Sequence, residues 1–390
     1  MTLTDISISR CGSREHRSDL DRLAAVGIPM PHEYTSWCLN DSMAQWYWCR
    51  IPDQGLPHPV AFAVKVERSR ALPWTSIGEA LRVGRALHEP VLAQLGDILA
   101  TIARRIPRLQ RLEVQVFDED HERRHRAERS IRNARGMPNG PRRSYGRTLV
   151  IPLVPGGDDA LLAALRHGAR RRISKFQRSA PAEVRPITGE AYLRRLHTLY
   201  AEAFDRTGAH PPALRFQDVM RDAESGRSIL LGTFVHGRPA PEDLVAFLWC
   251  RLHGDHVTYD TAGSEKSEAM HGIPVAYPLL WEMLRWGAMN GARWADLGGV
   301  LPPEAAADHP TAGISEFKRR FTQREQIVAS EHRFEPHPII TLSVTAVRQL
   351  ARAVGGIRPS RTRGRGMMRD SSVSPLSILR WLAPIRPYAQ

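Results

Sequence analysis

The chain spells the same order of elements twice, and this repetition constrains its fold more than any other feature. From Ala44 an aromatic-rich strand (Trp46, Tyr47, Trp48) runs to Ile51 and turns at Pro52-Asp53-Gln54-Gly55. His58–Glu67 follows as an alternating strand through Val60, Phe62, Val64 and Val66. A loop containing Gly78 and Gly84 leads to a helix opened by Glu89-Pro90, where proline suits the first turn. Its apolar positions Val91, Leu95, Leu99 and Ile102 keep helical spacing, and the strand Leu112–Phe117 closes the unit. The order returns at 228–297, with strands Ser228–Val235, Leu244–Leu252 and His256–Thr261 and a loop from Gly263 to His271. A helix then starts at Gly272-Ile273-Pro274, carries Val275, Leu279, Met283 and Trp286, and gives way to the strand Ala292–Leu297. The two copies share no clear residue identities, so the repeat is one of architecture. Hairpins alternating with single helices predict a mixed α/β fold with antiparallel hairpins and two similar lobes in tandem.

The remaining segments complete a division into four parts. Residues 1–40 lack a sustained period and read as an irregular lead-in with one short helix near Leu20–Ala25. Residues 41–140 form the first lobe, with a basic loop at its end, and 141–335 the second, catalytic lobe. The second is expected to open with the strand Tyr145–Ile151 and an amphipathic helix Asp158–Arg178 that includes Leu161, Leu162 and Leu165. Helices Glu190–Asp205 and Ala213–Ala223 follow, and Gln326–Phe334 is expected to be the last strand. Residues 336–390 contain a short helix, Thr345–Val354, and then a tail rich in Gly, Pro, Ser and Arg with no expected fixed structure.

With 390 residues, 42% of them hydrophobic, the chain has enough apolar side chains for two cores. No apolar run approaches the ~20 residues of a membrane span, and Met1–Arg10 has no signal-peptide core, so a cytoplasmic protein is expected. Four cysteines without CxxC spacing argue against a disulfide framework, and no bound metal or permanent cofactor is expected. The net charge is +14, yet of 55 basic residues only Lys65, Lys175, Lys266 and Lys318 are lysine. In an arginine-dominated chain a lysine marks a place where a compact, titratable charge is required. The cations concentrate in Arg123–Arg143 and beyond Gly356, where seven arginines face Asp370 alone. Solvated surface explains both runs, and a polyanion such as RNA or an anionic lipid surface fits them as well. The apolar stretch Pro375–Ile385 suits weak peripheral membrane contact or docking on the protein itself.

The chemistry concentrates between Ala295 and Phe321. Asp296 ends a strand, and Gly298 and Gly299 allow a tight turn and close approach of backbone to a ligand. A helix then begins near Gly313 and carries Lys318 between Phe317 and Phe321, on a face that packs inward. The helix start at Gly272-Ile273 offers backbone N–H groups for a phosphate or oxyanion.

These residues carry a resemblance. Tyr145-Gly146-Arg147-Thr148, Arg170-Arg171-Arg172-Ile173-Ser174-Lys175, Tyr259 with Gly263-Ser264 and Pro274 with Leu280-Trp281 belong to it. So do Asp296-Leu297-Gly298-Gly299 and Gly313-Ile314-Ser315-Glu316-Phe317-Lys318-Arg319-Arg320-Phe321. The pattern resembles the GNAT acyltransferase superfamily and, more narrowly, its tandem-lobed Fem-like branch, which includes peptidyltransferases of peptidoglycan cross-bridges. It covers about 145–330 well and 40–120 in outline.

The resemblance implies metal-independent transfer of an acyl group from an activated donor, acyl-CoA or a similar thioester, to an amine on a small molecule or a cell-envelope precursor. Lys318 then lies in the active site. Asp296 and Tyr259 are further catalytic candidates. Gly298, Gly299, Gly272, Ile273, Phe317, Arg171 and Arg172 are candidates for binding substrate or donor. Two departures stand out. The usual acetyl-CoA loop has a polar residue where Ala269 stands and Gly or Ala where Pro274 stands. The helical hairpin of the cross-bridge enzymes is missing. Nucleic acid enters as a partner only if the donor is an aminoacyl-tRNA. A different reading, a non-catalytic arginine-rich module binding RNA or anionic lipid, stays open at this level.

Overall fold

Strand and helix alternate as the periodicity predicts, and in this computed structural model they build two mixed seven-stranded sheets. The structure describes residues 6–337 except 29, 52–57, 70–73, 85–86, 140–146, 155, 180, 207, 209–212, 267–271, 302–308 and 310, and also 339–340, 342–343 and 346. Apart from residue 346, the expected helix Thr345–Val354 lies outside the described residues, as do the arginine-rich tail and its apolar stretch Pro375–Ile385.

The first lobe contains β1 (Ser7–Arg10), α1 (Arg14–Ala25), α2 (Trp37–Asn40), β2 (Gln45–Ile51), β3 (Val60–Arg68) and β4 (Ser76–Gly84). It continues with α3 (Glu89–Arg105), β5 (Leu109–Phe117), α4 (His121–Asn133) and β6 (Met137–Pro138). The chain then runs through β7 (Thr148–Pro152), α5 (Gly157–Ala164), α6 (His167–Ser179), β8 (Ala182–Pro186), α7 (Leu193–Asp205) and α8 (Phe216–Glu224). Next come β9 (Ser228–Val235), β10 (Leu244–His253), β11 (His256–Ser264), α9 (Ala276–Met289) and β12 (Trp294–Gly299). Last are α10 (Ala312–Arg319), β13 (Glu325–Gln326) and β14 (Ala329–Phe334).

The strand orders are β1-β2-β3-β4-β5-β14-β6 and β8-β9-β10-β11-β12-β7-β13, which match position for position. In each sheet a hairpin pair is followed by one parallel step, β4 to β5 and β11 to β12, and a helix makes the crossover. The apolar stripe of α3, from Val91 through Ile102, is buried against the first sheet, and α9 buries Leu279, Leu280, Met283 and Leu284 in the second core. A separate cluster of Phe117, Val150, Trp294, Val328 and Ala329 joins the lobes.

Several expectations are corrected. The lead-in is not irregular: Ser7–Arg10 pairs antiparallel with β2, and Ser13 caps α1 by accepting from the His16 N–H at 3.2 Å. The loop around Gly78 and Gly84 is β4, a strand hidden from pattern reading because it buries Glu79 and Arg82 among its apolar residues. The front of the basic loop is α4, capped by Asp120, and several of its charges are paired: Arg123 and Arg126 both bond Glu89, and Arg123 also bonds Asp118. Arg142 and Arg143 lie outside the described residues. The helix expected over Asp158–Arg178 breaks at Leu165, which is extended (ψ 156°) and buried; Arg166 then donates its N–H to the Phe321 carbonyl. The expected last strand splits, with Glu325–Gln326 pairing in the second sheet and Ala329–Phe334 crossing back to the first, between β5 and β6.

Candidate active site

β12 does not run straight to its end. Its pairing with β7 shifts register between Asp296 and Gly299, and Gly298 adopts φ +75°, a conformation that L side chains rarely reach. The kink is held by Asp296, whose Oδ1 accepts from the Gly298 N–H at 2.7 Å and from the Thr148 hydroxyl of β7. The turn leaves the Gly299 carbonyl pointing at α10.

That helix buries two polar residues, Ser315 and Lys318. Ser315 Oγ accepts from the Leu301 N–H at 3.0 Å, tying the loop after β12 to the helix. Lys318 donates from Nζ to the Gly299 carbonyl at 2.9 Å and sits 5.3 Å from the centroid of the Tyr259 ring on β11. A Cβ on Gly298 would come within 3.3 Å of Nζ, so the glycine makes room for the ammonium as well as for the turn. Lys318 is 7% exposed, and burial pushes its pKa down to about 8 against the opposing pull of the Asp296 carboxylate.

The other expected residues fall into different places. Phe317 packs edge-on against Tyr277 of α9 at 5.1 Å and against Phe321 at 5.4 Å, anchoring α10 on the crossover helix. Arg172 of α6 lies 5.1 Å over the same Tyr277 ring, and Arg320 reaches the Tyr277 hydroxyl at 3.5 Å. Arg171 is exposed on α6. Gly272 and Ile273 are not at the lysine: the Gly272 carbonyl accepts from Lys175 of α6 at 3.5 Å, and Ile273 packs on the second core. The structure thus gathers Lys318, Asp296, Tyr259, Gly298 and Gly299, sends Phe317 and Arg172 to Tyr277, and leaves Arg171 in solvent.

The start of α9 differs from the expected phosphate cradle for a chemical reason. Pro274 and Pro278 carry no N–H, and the N–H groups of Val275 and Tyr277 donate to the carbonyls of Ile273 and Pro274 at 2.9 and 3.1 Å. Of the five positions 274–278, only Ala276 keeps an amide for a ligand. Ala269 lies outside the described residues.

Sequence reasoning passed over two features. Thr148, part of the motif that carried the resemblance, orients Asp296 by its hydroxyl. The run His121-Glu122-Arg123-Arg124-His125 has the spacing of a helical zinc motif. Both imidazoles sit on α4 with their ring centroids 4.2 Å apart, and His125 Nδ1 lies 3.0 Å from Glu128. Among the described residues, though, the one group of three or more ligand-type side chains within reach of a common ion is Cys11, His16 and Cys38. There His16 has both nitrogens engaged, Nδ1 accepting from the Gly12 N–H and Nε2 facing the Tyr34 carbonyl, each at 2.9 Å. Neither place presents a free set of metal ligands.

Residues 163–319 match the model of the GNAT acetyltransferase domain. No curated protein matches the chain. Among solved structures, FemX superposes with a TM-score of 0.66 at 12% identity, over 84% of this chain and 98% of its own. L-PGS from Bacillus licheniformis gives a TM-score of 0.47 at 12% identity, over 87% of this chain and 97% of its own. A tandem GNAT protein from the clavulanic acid biosynthesis pathway gives 0.46 at 11% identity, over 86% and 99%. At these identities the likeness is one of fold. Domain match, strand order and lobe repetition agree: residues 163–319 match a GNAT acetyltransferase domain, and the chain folds as two similar lobes in an arrangement like that of FemX.

Proposed function

We propose that the chain moves an acyl group from an activated donor to an amine, with Lys318 at the centre of the reaction. The observation that carries this reading is a buried lysine held on a glycine turn beside a carboxylate, in the lobe that matches the acetyltransferase domain. Attack of an amine on the acyl carbon turns the carbonyl oxygen into an oxyanion. A lysine ammonium has three donors; one goes to Gly299, which aims the others and fixes the charge before reaction. With a pKa of about 8, the ammonium form outnumbers the free amine roughly ten to one at pH 7. The same pKa lets Lys318 pass a proton to a departing thiolate of similar acidity and take one back from the attacking nitrogen, which sheds a proton as the amide forms. Asp296 holds the turn that positions Lys318 and supplies its counter-charge, and the Tyr259 ring closes the other side.

The donor is an acyl-CoA or similar thioester in the reading that follows the domain match. A second reading, an aminoacyl-tRNA donor, is supported by α6 and by the start of α9. The former carries Arg170, Arg171, Arg172, Lys175 and Arg178 with no acidic residue. The latter has two prolines without an N–H, at 274 and 278, and the N–H groups of Val275 and Tyr277 donate within the chain. Mass spectrometry of ligands retained by the purified protein, followed by a panel of acyl-CoA thioesters with free-thiol readout, tests the first reading. RNA binding that weakens steeply with salt supports the second. Silence in both assays defeats the proposal.

The pH dependence follows from the direction of the lysine shift. If the ammonium is the working form, turnover declines as pH rises through about 8, along a single-proton limb. Residual turnover of Lys318→Arg, whose side chain stays charged, lacks that limb. A flat wild-type profile between pH 7 and pH 9 would remove the ammonium from the mechanism.

A further inference from the structure

Arg82 belongs to the first lobe but spends its side chain on the second. It is 9% exposed and takes φ +53°, a left-handed conformation that costs a non-glycine residue of the order of 1 kcal/mol. The pairing of β4 with β5 shifts register between Ala80 and Val83, so the strand bulges where Arg82 leaves it. Its guanidinium lies 4.2 Å over the Phe117 ring and crosses to β11. There Nη1 donates to His256 Nε2 at 2.8 Å and Nη2 donates to Thr258 Oγ1 at 3.2 Å.

Those two contacts form one framework. Arginine keeps its protons, so His256 must accept at Nε2 and carry its hydrogen on Nδ1, which faces Asp255 at 3.3 Å. Burial keeps that imidazole neutral, its pKa pushed down to about 4 although Asp255 opposes the shift. The ring is clamped between Phe117 at 5.1 Å and Trp294 at 4.3 Å. In the parallel pairing of β11 with β12, His256 is level with Trp294 and Thr258 with Asp296. The arginine fork therefore grips the segment of β11 that lies alongside Asp296, and Tyr259 is the next residue.

Interlobe cohesion alone does not account for this arrangement. A buried charge network stabilises an interface no better than apolar side chains of similar size, and the strained backbone adds to the cost. Strained and charged residues kept together in a core point to a site that needs them. We propose that Arg82 is a positioning residue for the second lobe's acyl-transfer site, holding His256 and Thr258 so that Asp296 stays fixed beside Lys318. The inference rests on the acyl-transfer reading above. It gives the first lobe a definite part in the reaction: it supplies the fork that sets one wall of the site.

The test uses the full chain, with Arg82→Met removing the fork and Thr258→Val removing one of its acceptors. With only four lysines in the chain, 13C-labelled lysine gives four side-chain signals, and Lys318→Arg identifies that of Lys318. In wild type this signal titrates near pH 8. Glu33, Asp260, Arg251 and His253 also face Arg82 and remain in the variant, whereas Asp296 loses the opposing charge of the guanidinium. The Lys318 midpoint is expected to rise by about one unit in Arg82→Met. In acetyl-CoA turnover, kcat is expected to fall about 100-fold, as a misplacement of the order of 1 Å brings, with KM for acetyl-CoA changed less than about twofold. A folded Arg82→Met protein with the wild-type midpoint overturns the proposal. Should that variant fail to fold, Thr258→Val decides alone: it keeps the guanidinium charge but frees the strand beside Asp296, and an unchanged Lys318 chemical shift and midpoint there overturn the proposal equally. Absence of acetyl-CoA turnover in wild type counts against a thioester donor, and the titration still judges Arg82.

Discussion

Lys318→Met is expected to abolish transfer and, at the same time, to stabilise the fold at pH 7. Removing a preorganised oxyanion donor lowers turnover about 10²–10³-fold. The stability gain follows from the lysine's own titration. Its pKa falls from 10.5 to about 8 in the folded state, so the fold disfavours the charged form. Above pH 10.5 both states hold a neutral amine and there is no penalty. As pH falls through the window from 10.5 to about 8 the unfolded chain takes up a proton that the folded chain refuses, and stability is lost. Below about 8 the penalty is complete, at about 3 kcal/mol. Methionine carries no charge and escapes it, but it leaves the Gly299 carbonyl without its donor, which returns about 1 kcal/mol. Urea unfolding at pH 7 and at pH 10 measures the difference. The variant gains about 2 kcal/mol at pH 7 and about nothing at pH 10, where the penalty has fallen to the size of the lost hydrogen bond. A variant less stable than wild type at both values would show that the buried lysine is not strained by its surroundings.

Gly263→Ala is expected to cost the second lobe about 3 kcal/mol, because the position has no room for a methyl group. A Cβ there would lie 2.5 Å from the Leu199 carbonyl oxygen and 2.7 Å from the Phe247 ring. The first is backbone of α7 and the second is a fully buried ring, so neither can move aside cheaply. The same strand carries Tyr259 and Thr258, and a shift of β11 to relieve the clash would also disturb the lysine site. Thermal unfolding of the variant shows the loss directly. Wild-type stability would mean that α7 slides freely over the sheet.

Both positions are legible in the sequence, but for unequal reasons. Lys318 stood out because lysine is rare in this chain and sits between two phenylalanines on a short helix; rarity and spacing are properties of the sequence. Gly263 was noticed as part of a motif, and its cause, the approach of α7, lies in residues 64 positions away along the chain. The strand Ser228–Val235 and the helix opening at Glu89-Pro90 are legible from patterning and turn chemistry: the strand is apolar almost throughout, with Leu231 in one core and Leu230 and Phe234 in another, and the helix buries one apolar stripe. β4 escaped for the opposite reason. Glu79 and Arg82 interrupt its pattern although both are buried, and Arg82 is held there by Glu33 and His256 from outside the strand. The break between α5 and α6 carries no glycine or proline; the chain turns at a buried leucine, which tertiary packing alone determines. The phosphate cradle was expected from a helix start, and two prolines with two internal hydrogen bonds removed it.

The crossing of β14 into the first sheet bears on how the molecule can be made. Ala329 pairs with Phe117 and Phe334 with Leu112, so more than two hundred residues separate partners in one ladder. As the chain leaves the ribosome, the first lobe has β5 as a bare edge while β7 through β13 are still being synthesised. An uncovered edge of that kind invites pairing with other chains, and ladders closed over such long separations form late. The second lobe can complete its sheet first, since β7 and β13 both lie within its own stretch of chain. The topology thus lets the second sheet close without β14, whereas the first cannot close without it. A chain truncated before Ala329 would keep every strand of the second sheet and leave β5 an open edge of the first.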